Sequence, residues 1–144
     1  MEEWRTVPSW PDISASSLGR VLLSPCSAKM PSGYIREYQP KPTFGIEEKT
    51  ATGRKDSARR RIIRVGRICK TFKVHRLVCE AFHGLAPSED HIVLHIDEDP
   101  SNNRPENLRW GTRKENQNFP KVIAAFRNRS GANSAWAIHK SNQR

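Results

Sequence analysis

The chain has 144 residues, 35% hydrophobic and 28% charged, with 8 Gly and 10 Pro. That suffices for one compact domain or two very small modules and excludes a large multidomain enzyme or a coiled coil; no apolar run approaches the roughly 20 residues that span a bilayer. With 25 Lys and Arg against 15 Asp and Glu, the net charge of +10 favours a polyanionic partner held through counterion release, without choosing among DNA, RNA and an acidic surface.

Met1-Glu2-Glu3-Trp4 carries acids where a signal or transit peptide needs a basic start, which predicts a cytoplasmic location and no membrane contact. Cys26, Cys69 and Cys79 stand apart without a C-x-x-C pair, so neither a disulfide framework nor a zinc ribbon is expected.

Residues 1–24 read as a compact strand-rich module, with Trp4, Val7, Trp10, Ile13, Leu18, Val21 and Leu22 as apolar anchors and Pro8, Pro11 and Gly19 as punctuation. Residues 25–58 are poor in apolar periodicity and read as a loop or linker, either a long hairpin loop or a tether, with Tyr34–Tyr38 as one short strand. Arg61–Val65 and Ile68–Val74 are β-rich runs around Gly66-Arg67 and predict a hairpin. Val74, Leu77, Val78, Ala81 and Phe82 recur at helical spacing and predict an amphipathic helix that ends at Gly84 and packs on the hairpin. A strand at Ile92–Ile96, an irregular polar loop from Asp97 to Pro105, and Glu106-Asn107-Leu108-Arg109-Trp110 follow. Thr112-Arg113-Lys114-Glu115 has the form of a capping box, so a helix containing Asn116 begins there. Residues 121–144 read as a basic helix and tail.

The run from Val93 to Thr112, with His95, Asn107 and Asn116 spaced twelve and nine residues apart, strongly resembles the core of HNH (His-Me finger, ββα-metal) endonucleases of the phage and intron homing type. Val74-His75-Arg76-Leu77-Val78-Cys79-Glu80-Ala81-Phe82 resembles the helix that precedes this core, and the two stretches cover roughly residues 60–118. Trp4–Trp10 with Ile13-Ser14 and Leu18-Gly19-Arg20-Val21 is similar to the small nuclease-associated module found ahead of such domains. The resemblance implies an α+β fold made of the N-terminal module, the basic hairpin with its helix, and a ββα-metal core, with the nuclease domain over 59–120.

It also implies metal-dependent hydrolysis of double-stranded DNA that leaves 5′-phosphate and 3′-hydroxyl ends, one strand being nicked per site. A phage or mobile-element source is implied too, and with it the host cytoplasm. In the resemblance His95 is the general base, Asn107 braces the loop, and Asn116 on the following helix binds one divalent ion, Mg²⁺ or Mn²⁺. Each residue type suits its role: imidazole titrates near neutral pH, and an amide oxygen is a hard ligand that leaves Mg²⁺ most of its waters.

One position departs from the family pattern: many homing HNH enzymes carry an acidic metal ligand just before the base, where this chain has Leu94. Asp97 is the candidate replacement, because two residues along a strand returns to the same face; the alternative is that Asp97 opens a turn. Leu94 also keeps open a second reading, a catalytically degenerate DNA-binding protein on the nuclease fold. Arg59, Arg60, Arg61, Arg64, Arg67, Lys70 and Lys73 cluster on and beside the hairpin and predict a cationic face along a phosphate track, while Arg109, Arg113 and Lys114 stand where they can grip phosphates flanking the cut. His75, Cys79 and His83 share a helical spacing that zinc uses only with a fourth ligand such as His91; Cys79 on the apolar face reads as packing. Oligomeric state stays open between monomer and homodimer.

Overall fold

The computed structural model of the protein describes residues 1–48 and 60–129. The chain opens with an antiparallel sheet of β1 (Trp4–Val7), β2 (Trp10–Ser16) and β3 (Val21–Leu23), in that order. Val7, Ile13, Ala15 and Val21 point inward, each at most 3% exposed. The β2–β3 turn is closed by Ser16, whose Oγ accepts from the amides of Leu18 (3.3 Å) and Arg20 (3.0 Å). Gly19 completes it at φ +83°, and its Cα faces the backbone of Asn103 so closely that an added Cβ would lie 2.8 Å from the carbonyl carbon and oxygen. A side chain here meets both a left-handed backbone and a fixed neighbour.

Next come the hairpin β4 (Cys26–Lys29) and β5 (Ile35–Tyr38), and the short β6 (Ile46–Glu47). The part of the supposed linker up to residue 48 is therefore ordered into a hairpin and one sheet strand. Periodicity misses this because β5 is exposed along its whole length and buries neither face.

The predicted basic hairpin is β7 (Arg61–Val65) and β8 (Lys70–Lys73), joined by a 3-10 turn at Gly66–Ile68 with Cys69 left-handed at φ 50°; β6 pairs with the outer edge of β7. The register pairs Arg64 with Thr71 and Ile62 with Lys73. Since strand neighbours alternate faces, Arg64 and Lys73 share one face and Arg61 and Lys70 lie on the other. The expected single cationic face is thus split by the register.

Helix α1 (Val74–His83) ends at Gly84 and is the centre of the molecule. Val74, Leu77, Val78 and Cys79 join the inward residues of β1–β3, Ile63 and Val65 of β7, and Leu108 in one core. Glu80, 8% exposed, accepts the Ser9 amide at 2.7 Å and so ties the β1–β2 turn to the helix. Burial pushes the Cys79 thiol up to about 12, with the charge of Glu80 adding to it, which makes this cysteine an inert packing residue.

The remaining elements are β9 (Ile92–His95), β10 (Leu108–Gly111), α2 (Arg113–Gln117) and α3 (Pro120–Arg129). The capping box is present as predicted: Thr112 Oγ1 accepts the Glu115 amide at 3.2 Å, and Glu115 Oε2 accepts the Thr112 amide at 2.6 Å. The fold is α+β, and no helix among the described residues is long and apolar enough to cross a membrane.

Candidate active site

Strands β9 and β10 run antiparallel with His95 opposite Leu108 and Leu94 opposite Arg109. Val93, Leu108 and Trp110 pack on the α1 core. Two hydrogen bonds lock the pair to the end of that helix: Trp110 Nε1 donates to the Gly84 carbonyl at 2.9 Å, and His83 Nε2 lies 2.7 Å from the Pro105 carbonyl. His95, last residue of β9, lies on the same face, half-buried, its ring in edge contact with His75 of α1 (centroids 5.4 Å apart, planes at 69°).

The His95 ring is oriented by a residue the sequence did not single out. Its Nε2 lies 3.0 Å from Oδ1 of Asn103, which is only 4% exposed. An amide oxygen only accepts, so Nε2 is the donor in this pair and Nδ1 is the nitrogen left for proton transfer. Among the described residues Nδ1 has no hydrogen-bond partner. Of two adjacent loop asparagines, Asn102 and Asn103, only burial separates this one from a turn former, and spacing gives no hint of it.

Asn107, 7% exposed, ties the loop together through three hydrogen bonds. Its Oδ1 accepts the Asp97 amide at 3.0 Å, while its Nδ2 donates to Asp97 Oδ1 at 2.8 Å and to the Asn102 carbonyl at 2.9 Å. Asp97 lies beyond the end of β9, in the turn, so the strand-face reason for aligning it with His95 does not hold. Its carboxylate accepts from the Asn107 and Asn102 amides and from the Asp99 backbone. Burial acts to raise its pKa, but those hydrogen bonds and the charge of His95 outweigh it and hold the carboxyl below its usual range. Glu98, at φ 59°, accepts the Lys121 amide at 2.8 Å and so ties the loop to the start of α3.

Leu94 is 1% exposed and lies on the opposite face of β9 from His95, where its Cδ1 would be 2.4 Å from a Cβ placed on Gly111; Glu115 Oε2 of α2 closes the same space. A leucine therefore fills the place between strand and helix where the family pattern puts an acid. Asn116 sits half-buried on α2, and no hydrogen bond reaches its side-chain amide among the described residues. No group of three His, Cys, Asp or Glu side chains among the described residues is placed to hold a metal by itself, and His75, Cys79, His83 and His91 do not converge. A free hard amide with no chelating partner fits a weakly held cation that keeps its waters and completes its shell with substrate phosphate. The engaged carboxylate of Asp97 fits such a role less well.

Of the cationic residues, Arg60, Arg64 and Lys73 are exposed, Arg61 lies 3.8 Å from Glu47, and Lys70 stands over the Trp10 ring at 4.4 Å. Arg109, paired with Glu115 at 3.6 Å, and the exposed Arg113 and Lys114 flank the β10–α2 junction. Arg67 lies in the 3-10 turn, and Arg59 and the tail from 130 on fall outside the described residues.

His75 is the most perturbed group beside the site. Burial, then the charges of His95, Arg60, Lys73 and Arg76, lower its pKa to about 3. An unfolded histidine takes its proton near 6.5, so the folded state binds fewer protons between these values and loses stability as pH falls from about 6.5 towards 3. Urea midpoints measured across that window are expected to fall with pH in the native chain and to fall less in His75→Phe.

Residues 72–118, from β8 through α2, match the family described as HNH endonuclease. This stretch is about a third of the chain, and His95, Asn107 and Asn116 fall within it. A solved structure titled "DNA binding and cleavage by the HNH homing endonuclease I-HmuI" is 26% identical, the match covering 97% of this chain and 66% of that one at a TM-score of 0.49. The chain thus spans just under two thirds of the length of that protein. No curated protein matches the chain.

Proposed function

We propose that the chain is a metal-dependent DNA endonuclease that hydrolyses a phosphodiester bond of double-stranded DNA, nicking one strand per site. The observation that carries this reading is the His95 imidazole, proton-bearing on the nitrogen held by Asn103 and open on the other. Nδ1 takes a proton from the attacking water, the ring becomes imidazolium, and the Asn103 carbonyl oxygen stabilises the proton on Nε2 throughout. Asn107 and Asp97 hold the loop that carries Asn103 so that this geometry exists before substrate arrives. Asn116 would hold one divalent cation, Mg²⁺ or Mn²⁺, which when bound would polarise the phosphate and stabilise the leaving 3′ oxygen.

Arg60, Arg64 and Lys73 beside the hairpin, and Arg109, Arg113 and Lys114 by the site, hold the phosphates on either side. Each contributes to affinity through counterion release rather than base reading.

Buried Leu94 favours a second reading, a DNA-binding protein on this fold that no longer cleaves. Supercoiled plasmid carrying the cognate site separates the two. The expected result is conversion to open circles in Mg²⁺ or Mn²⁺ and none in EDTA; intact plasmid with every ion, alongside salt-dependent binding, establishes the binder.

A further inference from the structure

A single hydrogen bond leaves the His95 ring underdetermined, because the torsion that turns an imidazole about its Cβ–Cγ bond has broad, roughly two-fold wells. Among the described residues the one side chain whose ring meets it is His75, with centroids 5.4 Å apart and planes at 69°. His75 is held rigidly: it is the second residue of α1, between Val74, which is fully buried, and the core residues Leu77 and Val78 one turn on. Its Nδ1 is buried and has no hydrogen-bond partner among the described residues, and leaving such an atom unpaired is destabilising. Packing alone favours a phenyl ring at this place.

We propose that His75 is a positioning residue for His95: its ring, anchored on α1, restricts rotation of the His95 imidazole so that the nitrogen not held by Asn103 stays turned towards the substrate. The proposal rests on the reading of His95 as general base. Asn103, from the loop after β9, fixes one corner of the ring, and His75, from the helix before it, fixes its plane. Burial keeps His75 uncharged, so it adds no repulsion when His95 becomes cationic.

The test uses the full chain labelled with ¹⁵N at histidine, as native, His75→Ala and His75→Phe, with ring-nitrogen shifts of His95 read by NMR and kcat and KM measured on a nicked-duplex assay. The native chain is expected to show His95 in one tautomer with the proton on Nε2. In His75→Ala the two nitrogens average towards a tautomer mixture and kcat falls roughly 10- to 100-fold, as displacing a reacting group by about 1 Å does, with KM unchanged. His75→Phe keeps the wall, restores the single tautomer and recovers most of kcat.

Unchanged His95 shifts and kcat in folded His75→Ala overturn the proposal. So does a folded His75→Phe in which the tautomers mix. If His75→Ala does not fold, His75→Phe decides alone by the same criterion. A native chain that does not cleave defeats the nuclease reading and not this one, since the nitrogen shifts still report whether His75 orders the ring.

Discussion

His95→Ala is expected to lower single-turnover strand cleavage by roughly 10²- to 10⁴-fold, the contribution of a positioned general base, while leaving the equilibrium affinity for duplex DNA unchanged. The two effects separate because of where His95 sits. It ends a strand on the half-buried face towards α1 and makes one hydrogen bond, to Asn103, whereas the cations proposed to hold phosphate stand on other elements. Asn103→Ala loses less, since the ring remains and only its proton partner goes. The double variant is expected to be no slower than His95→Ala alone, because residues acting as a unit are not additive. Single-turnover rates on end-labelled duplex, paired with titrations in EDTA, measure both quantities; a double variant much slower than His95→Ala means that Asn103 serves the reaction by another route.

The second large effect falls on stability. Asn107→Ala removes the acceptor of the Asp97 amide and the donor to both Asp97 and the Asn102 carbonyl. Asn107 is only 7% exposed, but Asp97 is exposed and Asn102 half-buried, so water can take over part of these bonds and the loss is expected to be about 1–3 kcal/mol. Urea unfolding at neutral pH reads this directly. Asn107→Asp makes a sharper comparison. It keeps an acceptor for the amide but sets a carboxylate against that of Asp97, whose pKa is already held low. Its defect is expected to be larger than that of alanine at pH 7 and to shrink as pH falls through the carboxylate range, where one of the two takes a proton. A defect independent of pH refutes the like-charge account.

Much of this site is legible in the sequence where the governing interactions are local. The helix over Val74–His83 follows from apolar spacing and the start of α2 from the Thr112–Glu115 capping box, while the brace at Asn107 comes from the family resemblance. What escapes are contacts set by tertiary packing. Asn103 is indistinguishable from Asn102 until one is buried. His75 reads as one more helix residue until α1 docks on β9. Asp97 looks like a strand neighbour of His95 because sequence does not mark where β9 stops. The register of β7 and β8 decides which arginines share a face, and that register is written in the backbone pairing rather than in the spacing of charges.

Gly19 abuts the backbone of Asn103 without room for a methyl group, and Val7, Ile13, Ala15 and Val21 lie in the same core as α1. The first strands are therefore the floor on which the loop after β9 rests. A transplant of residues 72–118 onto another scaffold carries the chemistry of His95 but leaves behind the surface that keeps Asn103 in reach of it. Anyone recombining this fold has to move its opening turn along with its histidine.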